Sequence, residues 1–281
     1  MSFVARASST LRFAVTRAAF VAAAVLVVVA AVGVSTACVG STGGGVVTFD
    51  AFAHGPKTAS LTSGYAFHTS AGWDVTLRRA KMQIGAVYLN RSVPLASERE
   101  TSCVLPGIYV GEITDGVMVD VLDPAGQKFP VRGEGTRDHA VTAEIWLGAG
   151  DINALNDDTV LLDVAGTARK GGAVVPFEGT ITIAKNRAIP PENAALPGGN
   201  PLCEQRIISP IAVSLDLADN GTLDLAIEPR GWFDGVAFDK LTEASPGHFI
   251  FGDDSASQPD INLYMGFRGN QGAYAFAFVT E

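Results

Sequence analysis

Oxygen donors crowd two short stretches of the chain. Asp151-Ile152-Asn153-Ala154-Leu155-Asn156-Asp157-Asp158 is the first, and Gly252-Asp253-Asp254, followed by Asp260 and Asn262, is the second. A hard cation such as calcium takes about six to eight oxygens, often from such loops. Asp151, Asn153, Asp157, Asp158, Asp253 and Asp254 are therefore candidate metal ligands. The EF-hand spacing is absent, because Leu155 stands where a third acid or amide belongs and no Glu closes the loop. Asp and Asn are also ordinary turn residues, so both readings stay open. His54, His68, His139 and His248 are far apart in sequence. Folded together, with Met82, Met118 and Met265, they would suit copper; apart, they are strand-end histidines and core methionines. Trp73, Trp146 and Trp232 supply either a sugar-binding face or core bulk.

Other chemistries lack their motifs. The chain has no G-x-S-x-G, H-E-x-x-H, Walker loop or C-x-x-C. Gly55-Pro56-Lys57-Thr58 reads as a turn and Gly148-Ala149-Gly150 as a loop. The formal charge of −9 opposes a nucleic-acid partner, which needs a basic face. A hydrolase with an unrecognised acidic pair ranks below a non-catalytic binding or structural protein. No cofactor is called for beyond calcium or copper.

The N-terminus reads as an address. Met1 to Arg17 carries Arg6, Arg12 and Arg17 and no acid; Ala18 to Val34 is an unbroken apolar run; Ser35-Thr36-Ala37 are small. This is the pattern of an export signal over residues 1–37. The run is also close to the ~20 residues of a membrane helix, so a retained anchor is the competing reading. Val34-Ser35-Thr36-Ala37-Cys38 resembles the lipobox of bacterial lipoproteins. The resemblance implies that Cys38 is acylated and becomes the mature N-terminus at a membrane; plain cleavage after Ala37 is the alternative. Removing residues 1–37 takes away three Arg and no acid, which lowers the charge from −9 to −12. Residues 38–45 then form a short Gly-rich tether.

With Cys38 acylated, Cys103 and Cys203 remain as a pair. An exported protein meets oxidising conditions, so a disulfide is expected between them. A closed loop of that size stabilises by at most about 4.7 kcal/mol in the chain-entropy picture. Two free thiols are the alternative.

The elements that must position these residues read as strands. Val46 to Phe49, Trp73 to Asn90, Ile108 to Val110, Val117 to Val121 and Ala140 to Leu147 are β-branched or aromatic and bounded by Gly, Pro, Asp or Asn. In the longest, the alternation runs Val75, Leu77, then Met82, Ile84, Ala86, Tyr88. Lys170-Gly171-Gly172 predicts a hairpin between Leu161–Arg169 and Ala173–Ala184. Asn220-Gly221 predicts a second between Ile211–Leu217 and Thr222–Ile227. A third has its turn at Gly269–Gly272, before a strand over Ala273–Val279. No stretch beyond residue 40 keeps helical periodicity for three turns; single turns fit at 151–158 and 239–244. The expected fold is all-β: an antiparallel β-sandwich over residues 46–281, as one large sandwich or two packed lobes with a boundary near 132–138.

Val213 to Phe238, with its Asp-Asn-Gly-Thr-Leu-Asp-Leu-Ala-Ile-Glu-Pro-Arg-Gly-Trp-Phe core, resembles uncharacterised lipoproteins of bacteria with high-GC genomes, as does Gly72–Leu77 with Tyr88–Asn90. That resemblance implies export, lipidation and β structure, and no activity. The Gly72–Leu77 to Tyr88–Asn90 stretch is also faintly similar to the opening of periplasmic copper-binding domains associated with methanobactin uptake, which would imply copper but assigns no ligand here. The expected protein is a lipid-anchored, non-catalytic component of the bacterial cell envelope, periplasmic or surface-exposed. Its partners are the membrane and a protein or carbohydrate ligand, with metal binding as the alternative.

Overall fold

The computed structural model describes residues 45–93, 107–148, 159–182, 206–253, 256–270 and 272–280. Of these, 56% are strand and 10% helix, so the all-β expectation holds. The first strand shows why: in Val46–His54 (β1), Val47, Phe49, Ala51 and Ala53 are buried and the residues between them are not. A period of two with β-branched and aromatic residues suits a half-buried strand. The strands that follow are Tyr65–His68 (β2), Asp74–Asn90 (β3), Tyr109–Ile113 (β4), Val117–Asp120 (β5), Gln127–Lys128 (β6), Gly133–Thr136 (β7) and His139–Leu147 (β8). Then come Leu162–Lys170 (β9), Ala173–Ile181 (β10), Ile207–Asp216 (β11), Thr222–Ile227 (β12), Thr242–Ser245 (β13), His248–Phe251 (β14) and Tyr274–Val279 (β15).

These strands join in one sheet system. Its longest path is β13-β14-β10-β9-β3-β4-β7-β1-β12-β15; β2, β5 and β8 also pair with β3, β6 with β1, and β11 with β8. The 17-residue β3 is the spine. β9 and then β8 line one edge of it; β2, β5 and β4 line the other. Two bulges interrupt it, at Leu77/Arg79 against β9 and at Ile84/Ala86 against β8. Each extra residue turns the following side chains to the opposite face. The buried set therefore runs Val75, Leu77, then Ala80, Met82, Ile84, then Val87, Leu89.

The Gly171-Gly172 hairpin forms as its sequence predicts, with both glycines at positive φ (55° and 88°) and Lys170 opposite Ala173. The other two differ from expectation. Asn220 does adopt φ 57°, yet β11 pairs with β8, and β12 runs parallel to β1. The turn itself is held by β1: Asn220 N donates to Thr48 O (2.8 Å), Asp50 N to Gly221 O (3.0 Å), and Thr48 N to Asp219 Oδ1 (3.0 Å). Clamped there, the chain enters β12 alongside β1. β10 and β14 are parallel as well, so the sheet is mixed and not purely antiparallel.

The turn before β15 follows a helix, Gln258–Arg268, and β15 pairs with β12. This helix runs three turns where none is expected from the sequence. Its buried stripe is Asp260, Leu263, Tyr264, Phe267, an i, i+3, i+4, i+7 pattern whose first member is an acid, which conceals the period. The short helix Arg230–Phe233 (α1) packs against it, so Gln258–Arg268 is α2. At their crossing a Cβ on Gly266 would clash with the Trp232 carbonyl oxygen. The region 239–244 begins with a 3-10 turn, Phe238–Lys240, and continues into β13. Residues 132–138 contain β7, which pairs with β1 and β4 inside the single compact unit Gly43–Glu281.

Candidate functional site

The face that matters is turned away from Val87 and Leu89. Residues directly opposite each other on paired strands share a face, with Cβ atoms about 4.5–5.5 Å apart. One such row crosses four strands: Glu134 on β7 faces Glu112 on β4, Glu112 faces Tyr88 on β3, and Tyr88 faces Glu144 on β8. Asn90, opposite Thr142 and Tyr109, lies next to it on one side. Ala86, opposite Trp146, lies on the other. The bulge at Ile84/Ala86 is what sends Tyr88 to this face.

Glu144 is fully buried. A buried carboxylate needs donors, and three side chains supply them. Asn90 Nδ2 donates to Oε1 (3.1 Å), while Trp146 Nε1 (3.3 Å) and Tyr109 Oη (3.4 Å) donate to Oε2. Burial raises the Glu144 carboxyl above the usual carboxylate range, and those hydrogen bonds oppose the rise. Burial likewise raises the phenols of Tyr88 and Tyr109, with Glu144 adding to both and Glu112 to Tyr88. Tyr88 packs edge to face on Tyr109 (5.4 Å) and tilted against Trp146 (4.8 Å).

Two openings flank these rings. A cavity of about 310 Å³ is lined by Gln83, Tyr88, Thr114, Asp115, Trp146 and Arg206, among others. A groove of about 330 Å³ lies between β4 and β7, with Tyr109, Glu112 and Glu134 on its walls. Neither Glu112 nor Glu134 has an ion-pair or hydrogen-bond partner among the described residues. Aromatic surface beside carboxylates, a carboxamide, a threonine and a guanidinium is the chemistry that holds a small polar molecule with apolar faces.

The expected site residues fall elsewhere. Cys38, Cys103 and Cys203, and Asp151, Asn153, Asp157, Asp158 and Asp254, lie outside the described residues. Asp253 is described and buried. Its Oδ1 accepts from Thr182 N (2.9 Å) and its Oδ2 from Thr182 Oγ1 (2.6 Å), while its own N–H donates to Asp260 Oδ1 (3.0 Å). Asp253 and Asp260 thus tie β10 and β14 to the start of α2, and Asn262 donates to the Gly235 carbonyl. The four histidines are not brought together. Each meets its own carboxylate: His54 with Asp224, His68 with Asp74, His139 with Asp216, His248 with Glu178. Met82 is core, whereas Met118 and Met265 are exposed. Among the described residues no three His, Cys, Asp or Glu side chains gather at metal-holding distance. Trp73 and Trp232 are core, whereas Trp146 lines the first of these openings.

No protein family matches this chain, nor does any curated protein or solved structure. The site therefore rests on its own geometry. Tyr88, Asn90, Tyr109, Glu112, Glu134 and Glu144 were not singled out by sequence patterns, because strand register brings them together. One local signal was present: a glutamate inside Ala140–Leu147 with apolar residues on both sides.

Proposed function

We propose that this is an exported, lipid-anchored, non-catalytic β-sandwich protein of the bacterial cell envelope, binding a polyhydroxylated ligand, a carbohydrate, at the Tyr88–Trp146 cavity. The observation that carries the binding reading is Glu144, fully buried and hydrogen-bonded to Trp146, whose ring lines that cavity with Tyr88, and to Tyr109, whose ring lines the neighbouring groove. A buried charge held only by side-chain donors is costly to keep, and here it fixes the Trp146 ring, one of the two that a sugar would stack on. A non-catalytic role is supported by the same burial, which keeps the Glu144 oxygens from touching a substrate. Cross-strand spacing also separates Glu144 from Glu112 by the whole of β3. The anchored reading is supported by the basic start, the apolar run and the lipobox-like Val34–Cys38. The oxidising setting that follows makes Cys103–Cys203 a disulfide.

The test is titration of the purified mature protein with a panel of soluble oligosaccharides, followed by tryptophan fluorescence and calorimetry. Binding by one class, lost in Trp146→Ala and Tyr88→Ala with the fold intact, supports the reading. Absence of heat and of fluorescence change across neutral, acidic and amino sugars overturns it. Palmitate labelling, abolished in Cys38→Ala, tests the anchor separately. Calcium or copper binding is the second reading; elemental analysis of protein from its own compartment decides it.

A further inference from the structure

Four large apolar side chains are exposed where the N-terminal chain joins the domain. Val46 is 81% exposed, Val93 58%, Ile108 49% and Tyr109 37%. They belong to one end of the sheet. Val46 and Tyr109 line the same groove. Ile108 N donates to Ser92 Oγ (3.1 Å), and Arg91 N donates to Ile108 O (3.0 Å), which sets Val93 beside them. Gly45, the first described residue, accepts from Arg137 N (2.8 Å) at this end.

The charge here differs from that of the rest of the chain. Arg91 and Arg137 are exposed, Arg91 pairs with Asp138 (3.1 Å), and His139 pairs with Asp216 (2.7 Å). Counting His139 as neutral, the two Arg and two Asp cancel. A protein of strongly negative charge is repelled by anionic surfaces; among the described residues the rim of this end is apolar with its charges balanced, while Glu112 and Glu134 stand deeper on the walls of the same groove. Glu112 and Glu134 lie two or three residues further along β4 and β7, roughly 7–10 Å at strand rise, which limits contact to the side-chain tips.

We infer that this end is a bilayer-docking surface, with Val46, Val93, Ile108 and Tyr109 resting in the headgroup region of the membrane that holds Cys38. The inference rests on the anchored reading above. From Cys38 to Val46 the chain spans at most about 3.5 Å per residue, under 30 Å in all, so acylation holds this end close to the lipid. Contact is then intramolecular, and a small apolar patch suffices.

The experiment uses the lipidated mature protein in phosphatidylethanolamine/phosphatidylglycerol vesicles carrying brominated acyl chains. The reporters are Ile108→Trp and, as a distant control, Leu61→Trp, which is exposed beside Gly64 near the Leu77 end of β3. At least twofold stronger quenching at position 108 than at 61 is expected. Val46→Asp/Ile108→Asp should bring a Val93→Trp reporter down to the control level while the protein still floats with vesicles. Flotation with equal quenching at 108 and 61 overturns the docking surface and leaves the anchor standing. Failure to float overturns both. If Cys38→Ser protein sediments as a dimer that Val46→Asp/Ile108→Asp dissociates, the occupant is a second copy and the inference fails.

Discussion

Two aromatic clusters in this protein are built from the same class of residue to opposite ends. Around α1, Phe177, Phe233, Phe238 and Phe251 pack on one another with ring centroids as close as 5.0 Å, Phe238 also meets Trp73 at 5.4 Å, and all are buried. No carboxylate takes part. Around Glu144, Tyr88, Tyr109 and Trp146 pack at similar distances, but Glu144 orders two of the three rings and a cavity opens beside them. The first cluster gains from burial alone, at about 25 cal/mol per Å². The second spends part of that gain on a buried charge. Asp253 and Asp260 sharpen the contrast. They are also buried acids, but they accept from backbone N–H groups as well, as carboxylates that brace a fold do. Glu144 accepts from side chains.

The largest expected effect falls on the dry cluster. Phe238→Ala removes a ring touching Trp73, Phe177, Phe233 and Phe251, and should cost about 3–5 kcal/mol. Urea unfolding would show it as a lower midpoint at unchanged slope. Trp146→Ala, at a half-open site, should cost distinctly less and abolish saccharide binding. Equal losses of stability would erase the distinction between the clusters. Next in size is Gly266→Ala. The added methyl meets the carbonyls of Trp232 and Gly231, so α1 and α2 must part, at about 1–3 kcal/mol. An unchanged midpoint would mean that α1 does not seat the dry cluster against α2.

Each cluster was legible in part. In the dry one, the strand of Phe177 follows from the Gly171-Gly172 hairpin leading into β10, but neither α1 with Phe233 nor β14 with Phe251 was expected. The wet cluster depends on phase. From Met82 and Ile84 the alternation continues naturally to Ala86 and Tyr88, which places Tyr88 in the core. The bulge beside Gly85 shifts the phase, so Val87 and Leu89 go inward and Tyr88 joins Glu144. A bulge has no reliable mark in one sequence, and register between strands 20 to 50 residues apart has none. The Asn220-Gly221 turn teaches the same lesson: its backbone conformation was readable, but its partner was β1, far away in the chain. In α2 a buried acid stands in for the first apolar residue of the stripe.

A third test acts on the wet cluster itself. Glu144→Leu leaves the Asn90, Trp146 and Tyr109 donors without an acceptor and should cost about 1–3 kcal/mol. Glu144→Gln should be far milder. The amide oxygen can take the Trp146 and Tyr109 donors, and Asn90 Oδ1, which has no hydrogen-bond partner, can turn to accept from the new NH₂. The two proteins should then differ in pH dependence. The folded Glu144 carboxyl lies above its unfolded value. Its contribution is therefore full below the unfolded pKa and is lost as pH rises through the folded one. Wild type should lose stability relative to Glu144→Gln across that window, in denaturation series at stepped pH. A constant difference would mean that the site is open enough to solvate the charge.

The smallest effect has the opposite sign and comes from the turn that clamps β12 to β1. Asp219 is exposed, and its carboxyl is held below the usual range, first by the Thr48 N–H and then by the Thr48 hydroxyl. A depressed pKa contributes stability above the unfolded value, which is lost as pH falls through the folded one. Asp219→Asn keeps an oxygen for the Thr48 N–H, so the turn should persist while the acid-side loss becomes shallower. The two variants thus separate the roles of the two carboxylates. Glu144→Gln changes the limb above the ordinary glutamate range, where a buried charge burdens the fold. Asp219→Asn changes the limb below the ordinary aspartate range, where an exposed charge supports it. If both variants altered the same limb, Glu144 would be one more brace of the sheet, and the cavity beside it would lose its claim to a ligand.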